Sequence, residues 1–509
     1  MKHPYQCIVT AFPNGPQRGF LIAACGSKIL SAKVEAGSDS IVAIWPAEAE
    51  EVTASKPKLK DQAQPNADRH DGAQEPPEKK RRLATPASTS QPNVIRLAVS
   101  PHQEHLVAVT GEDKCIRVFK IHPDGNLIEL SKRCMPKRPC AIVVTAENMI
   151  LCGDKFGDVY SLPLLPSSAQ EAPKAETSAE PQMTPKKPFA PSATNLTVHT
   201  RRNRKALEEQ LKQKESDRPA KEPLKFEHQL LLGHVSMLTG MLFVTRKIEG
   251  RRRDYIITCD RDEHIRVSRG PPQTHVVEAY CLGHKEFISC LCLVTPEILV
   301  SGGGDDWLGV WDWMTGRLLR KIQWRDTIDM TPQLPQGTLA QETSESLVLS
   351  GIWAGPNNKI LAAVEGLPYL LTIRLDDWSV ESCRSITEPE FGRLLSDDAY
   401  YLDVAVNGSD IICSVDPFHA REPASEAQAD GGVGRLLYIS DGSPLWLSGL
   451  ESPNHPKGSY GNNVDERLQA LDAYVGPQAD RKTLDELLHG TARLKKRGIE
   501  PVEREPTFL

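Results

Sequence analysis

Short runs in which apolar and polar positions alternate with a period of two fill most of the chain. VIRLAVSP (94–101), HLVAVTG (105–111) and CIRVFKI (115–121) are examples, separated by Gly, Ser, Asp and Pro. A period of two over five to eight residues places one face of a pleated strand on a core and the other toward water. Such runs recur to near residue 446. Helical spacing emerges only in TLDELLHGTARLKKRG (483–498). The pattern predicts an all-β body over 1–450 and a C-terminal tail over 451–509 with one short helix.

The strand runs repeat. GHKEFISCLCLVTPEILVSGGGDDWLGVWDW (283–313) begins on Gly-His and ends on Trp-Asp, with His284 and Trp311 27 residues apart. GHVSMLTGMLFVTRKIEGRRRDYIITCDRDEHIRVSRG (233–270) follows the same plan, with an insertion near RKIEGRRR and Ser268 in the place of Trp311. HLVAVTGEDKCIRVFK (105–120) supplies a third ending with Phe119 in the Trp position, and MILCGDKFGDVYSL (149–162) a weaker fourth. Repeats of about 40–45 residues with Gly-His and Trp-Asp signatures are four-stranded blades of a WD-repeat β-propeller. A blade cannot bury both faces alone, so the blades stack into a ring. Seven strand clusters lie near 5–45, 93–121, 128–162, 228–270, 275–322, 346–376 and 400–446. Seven blades are expected, with six or eight as alternatives because the outermost clusters carry weak motifs.

Two stretches break the pattern. Residues 46–92 and 163–226 are rich in Pro, Ala, Glu, Lys and Gln and poor in aromatics. Segments of that composition bury too little apolar surface to offset the entropy of ordering, and both are expected to be disordered. The first falls between blades one and two, the second between blades three and four. Lys79, Lys80, Arg81 and Arg82 form a basic run in the first, the composition of a nuclear localisation signal. Arg251 to Arg253 form another in a loop of the fourth blade. The whole chain carries a net charge of −6, so no global basic excess advertises nucleic-acid binding. The 12 cysteines are scattered through apolar runs without a CxxC pair, which removes the zinc and dithiol readings and predicts buried thiols in a reducing compartment. Neither a secretory leader nor an apolar run long enough to span a membrane is read in the sequence.

Candidate chemistry falls at three places. His284, Ser289, Ser301 and Asp305, with Trp311, have the residue types of a catalytic triad. In a WD repeat the same set forms an internal hydrogen-bond chain, and that reading is preferred. SGGGDD (301–306) is glycine-rich but runs from strand to strand, whereas a dinucleotide or S-adenosylmethionine site wants strand, turn, then helix. No catalytic, cofactor or metal site is predicted. The third place is DRDEHIRVSRG (260–270), where Asp262 takes the structural Asp position and pairs with His234, while Arg261 and Glu263 exceed what the repeat needs. Lys285, after the next Gly-His, is expected on the same face. A patch of mixed sign suits a salt-sensitive protein contact.

The run CDRDEHIRVSRGPPQTHVVEAYCLGHKEFIS (259–289), followed by SGGGDDWLGVWDW, resembles the WD-repeat non-catalytic subunits of the tRNA (guanine-N7)-methyltransferase in their fungal form. The resemblance is specific over roughly 255–320. It implies an accessory chain that binds no S-adenosylmethionine. Such a chain forms a heterodimer with the catalytic methyltransferase subunit and keeps it active. It meets tRNA indirectly, through the complex, and resides in the nucleus without membrane attachment. Partner contact is implied for Arg261, Asp262, Glu263 and Arg266, with Lys285 beside them. The rival reading is a generic WD-repeat scaffold of another nuclear complex, which would use a different face.

Overall fold

A computed structural model describes residues 3–15, 19–33, 41–46, 91–166, 224, 226–262, 264–329, 347–385, 400–416, 435–440 and 443–446, and, past the last strand, 471, 474, 476–477, 481–488 and 490–494. The candidates Lys79, Lys80, Arg81 and Arg82, as well as Glu263, lie outside them.

The described strands form seven antiparallel sheets of four. Blade one is β1 to β4 (Tyr5–Ala11, Phe20–Cys25, Lys28–Lys33, Ile41–Trp45) and blade two is β5 to β8 (Val94–Val99, His105–Thr110, Cys115–Ile121, Leu127–Cys134). Blade three is β9 to β12 (Pro139–Val144, Met149–Asp154, Asp158–Pro163, Gln229–Gly233). Blade four is β13 to β16 (Leu238–Ile248, Arg251–Asp260, Ile265–Arg269, Val277–Cys281). Blade five is β17 to β20 (Ile288–Leu293, Ile298–Gly303, Trp307–Asp312, Arg317–Gln323) and is followed by a short helix, α1 (Arg325–Asp329). Blade six is β21 to β24 (Leu349–Gly355, Lys359–Val364, Tyr369–Arg374, Val380–Ser385) and blade seven is β25 to β28 (Tyr400–Asn407, Asp410–Asp416, Leu436–Ser440, Ser443–Trp446). Helix α2 (Arg481–Leu488) and a 3₁₀ turn (Thr491–Leu494) follow.

The first strand of each blade touches the first strand of the next, in the cycle β1, β5, β9, β13, β17, β21, β25 and back to β1. The ring is therefore closed, and the first strands surround its axis. Between blades the core is continuous side-chain packing. Tyr255 and Ile257 of blade four meet Trp311 and Trp313 of blade five, and Val300 and Val310 of blade five meet Ile360 and Leu371 of blade six. Among the described residues no helix is long and apolar enough to cross a membrane.

Two expectations are corrected. The second insertion lies inside blade three, because β11 and β12 pair directly, Ser161 with Gln229, on either side of it. The strand cluster 228–270 assigns QLLLG to the next blade, whereas the hydrogen bonds assign it to the preceding one. Cys115 and Cys134, directly opposed on β7 and β8, are joined as a disulfide, so not every cysteine is a thiol. The other ten are free, and all are buried or half-buried.

Candidate functional site

Register shows which loops share an end of the ring. Leu238 opposes Asp260, Cys259 opposes Ile265, and Ile265 opposes Cys281. The β14–β15 turn and the linker from β16 to β17 thus lie on one face, with the corresponding turns and linkers of the other blades. The Arg251–Arg253 run lies at the far end of β14, on the opposite face, where Arg252 bonds Glu147 and Asp254.

In blade five, the triad-like residues form a closed strut. His284 Nδ1 is 2.8 Å from Asp305 Oδ2, and its Nε2 is 2.7 Å from Ser301 Oγ. Trp311 Nε1 donates to the same Ser301 Oγ at 2.7 Å. An indole can only donate, so the serine hydroxyl accepts from it, while Ser301 and Asp305 hold the two ring nitrogens of His284 between them. His284 stacks on Trp307 with ring centroids 4.4 Å apart. The His284 side chain and Ser301 are both fully buried, so no substrate reaches them. Ser289 stands outside the strut and donates to the Leu349 carbonyl of blade six. Among the described residues no group of three or more His, Cys, Asp or Glu is placed to hold a metal ion.

The strut also displays Lys285. Asp305 accepts the backbone N–H of both Lys285 and Glu286, fixing the loop while the Lys285 side chain stays exposed.

Blade four departs from this plan and corrects the assignment of its structural acid. His234 Nδ1 lies 3.6 Å from Asp260, not Asp262. Register equates Asp260 with Gly303 of blade five, where an added Cβ would collide with the Phe287 carbonyl. In blade four a side chain stands at that position, and its carboxylate takes both the histidine and the turn. Asp260 accepts N–H from Asp262 at 2.9 Å and from His264 at 3.2 Å. Burial pushes its carboxyl up, but the bonds from His234, His264 and Asp262 outweigh that, and it titrates below the usual carboxylate range. Blade three uses the same device, with Asp154 accepting from Phe156 and Asp158. An Asp two residues ahead of the expected position, in GDKFGD and CDRDEH alike, is the sequence signal for it.

With Asp260 as the strut, the blade-four histidine is held without Asp262. Asp262 is half-buried at the turn. Arg261 N–H donates to the Met237 carbonyl, while its side-chain Nε donates to the Leu494 carbonyl of the C-terminal 3₁₀ turn at 2.7 Å. Arg266 turns inward. Its Nε donates to Ser268 Oγ at 3.0 Å and one Nη to the Gly233 carbonyl at 3.2 Å, filling the space that Gly309 and Trp311 occupy in blade five. His264 is exposed beside Arg261 and Asp262.

One blade step away the same positions are apolar. By register Phe156 matches Asp262, and Val235, after Gly-His, matches Lys285. Phe156 is 56% and Val235 107% exposed, and Leu282 beside the next Gly-His is 59% exposed. Phe156 and Val235 are neighbours, because Gly157 (φ +99°) is pressed against the His234 and Ser236 carbonyls and accepts the His234 N–H. The Lys137 ammonium lies 4.6 Å and that of Lys155 5.5 Å from the Phe156 ring centroid. The face over blades three to five thus joins exposed apolar side chains to charges of both signs. Sequence reasoning missed Phe156 and Val235, because each sits alone in a polar turn.

The sequence profile of the family described as tRNA methyltransferase TRM82 WD40 domain matches residues 21–437. The tRNA (guanine-N(7)-)-methyltransferase non-catalytic subunit TRM82 of Phaeosphaeria nodorum is 39% identical, over 98% of this chain and 99% of its own. The subunit of the same name from Aspergillus oryzae is 43% identical over 71% of this chain and 72% of its own.

Proposed function

From the premise that this chain belongs to the TRM82 family of WD40 subunits of the tRNA methyltransferase, we propose that the face over blades three to five holds the catalytic subunit in a heterodimer. The chain is a non-catalytic subunit of the enzyme that forms 7-methylguanosine in tRNA. Its task is to bind the catalytic chain and keep it active. The observation that carries the choice of face is the exposure of Phe156, Val235 and Leu282 on it beside the exposed charge of Lys285. The blade-four turn with Arg261 and Asp262 lies on the same face as Lys285 and the exposed Phe156 and Val235. Charges of mixed sign orient a partner and reject wrong ones, while apolar side chains in water supply the area whose burial stabilises the complex.

The mechanism is linkage. A chain that binds only the active fold of an enzyme stabilises that fold by mass action and needs no contact with the reacting atoms. On this reading tRNA meets the propeller only through the complex. Glu263 belongs to the same surface by sequence. Arg266 acts from beneath, holding the turn against Gly233. Lys79, Lys80, Arg81 and Arg82 serve as the nuclear import signal, which suits a subunit acting on tRNA in the nucleus.

The test is Lys285→Glu combined with Asp262→Lys, titrated against the catalytic subunit. Affinity is expected to fall at least roughly tenfold, and 7-methylguanosine formation with it, while the thermal unfolding curve of the propeller stays in place. Wild-type affinity in the double variant would show that another face does the work.

A further inference from the structure

The described residues beyond blade seven are built into the ring. Leu471 and Leu484 are fully buried. The Leu471 carbonyl accepts from Tyr5 Oη of blade one and from Arg435 of blade seven, and the Tyr474 carbonyl also accepts from Arg435. A Cβ on Gly26 would strike the Pro477 ring, which places this stretch against blade one. Helix α2 and the turn after it then cross the axis of the ring. Glu486, Leu487, Leu488 and Thr491 line a cavity of about 280 Å³ together with Arg96 of blade two and Tyr400 of blade seven. Thr491 N–H donates to Glu365 in the β22–β23 turn of blade six at 3.2 Å, and the Leu494 carbonyl receives Arg261 of blade four. The described residues of this stretch thus touch the seam of blades seven and one, blade six, and the turn proposed above to meet the catalytic subunit.

We propose that this C-terminal segment forms one wall of the partner-binding face, so that the catalytic subunit meets a composite of the blade-four turn and the 3₁₀ turn docked on it. The inference rests on the reading of that face given above. Two observations favour a wall over an inhibitory cover. A cover would hide the recognition residues, yet Lys285, Phe156, Val235 and Leu282 all stay exposed with the segment docked. Lys482 and Arg493 are exposed on the segment, so it adds charge to that surface. Arg261 is then a positioning residue: its guanidinium ties the wall to blade four.

The experiment compares the full chain with a chain ending at residue 477, which keeps Leu471 and Tyr474 in the seam but loses α2 and the 3₁₀ turn. A second variant, Leu484→Asp in the full chain, undocks the helix by placing a charge at a fully buried position. Each is titrated against the catalytic subunit, with Lys285→Glu as the control. Both changes are expected to weaken binding roughly tenfold, and Arg261→Ala to weaken it less. Unchanged or tighter binding by the two variants, with Lys285→Glu still weakened, would overturn the wall and leave the proposed face intact. Full affinity in Lys285→Glu would remove the face itself.

Discussion

Ser301 holds the blade-five strut together, because one hydroxyl serves both His284 and Trp311. Replacing it with alanine leaves an imidazole nitrogen and an indole N–H unpaired in a dry interior. At about 1–3 kcal/mol for each buried polar group left without a partner, Ser301→Ala is expected to cost roughly 2–6 kcal/mol. In urea this appears as a lower midpoint with an unchanged slope, and affinity for the partner stays unaltered in the folded protein. A catalytic serine would behave in the opposite way, with activity lost and stability kept. The strut was legible in the sequence because Gly-His, Ser, Asp and Trp stand at fixed spacing in blade five. In blade four two acids compete, and spacing selects Asp262 over Asp260. The structure reverses that choice because the loop beside Asp260 leaves room for a side chain that position 303 does not. A clearance between two backbones cannot be read from residue spacing.

At the scale of elements, alternation located the strands well, and 28 of them lie close to the predicted clusters. What it could not give was which strand closes which blade. The fourth strand of blade three, Gln229–Gly233, follows the long insertion and precedes Gly-His, so in the sequence it reads as the start of the next repeat. Pairing alone returns it to β11. Adjacent antiparallel strands need only a short hairpin between them. Replacing residues 168–222 with a short Gly-Ser linker is therefore expected to leave the thermal midpoint and partner affinity near those of the full chain. A drop of many degrees would mean that the insertion stabilises the ring. The tail was legible as well, since α2 and the 3₁₀ turn fall within the predicted 483–498 to within two residues at the start, with 495–498 outside the described residues. Its docking on Arg261 was not legible, because a hydrogen bond between residues 233 apart in the chain leaves no periodic trace.

At the scale of the whole molecule, the question is how the ring stays closed. Each blade consists of four consecutive strands, so no strand is shared across the seam between blades seven and one. Side chains close it instead. Buried Arg435 donates to the carbonyls of His3 and Leu471 and lies over the Tyr5 ring. Asp403 of blade seven accepts Ile8 N–H of blade one at 2.9 Å and Trp353 Nε1 of blade six at 3.1 Å, joining three blades through one carboxyl. Burial pushes that carboxyl from its ordinary 3.8 up to about 6, against the pull of the Ile8 and Val404 N–H groups, the Arg96 charge and the Trp353 indole. A carboxyl whose folded value is raised holds its proton more tightly folded than unfolded. The cost of ionising it is absent below about pH 4, accumulates between about pH 4 and 6, and is fully present above that. The propeller is thus expected to lose about 1–3 kcal/mol of stability from this group as pH rises through that window. The figure follows from about 1.4 kcal/mol for each tenfold difference in proton affinity between the folded and unfolded chain. Asp403→Asn removes the titration but keeps an oxygen for Trp353. Chemical unfolding of both proteins at pH 4.5 and 7 isolates the effect: the stability of the wild type relative to the variant should fall between the two pH values. A constant difference would show that Asp403 stays ionised throughout, and that ring closure carries no proton-linked cost at this seam.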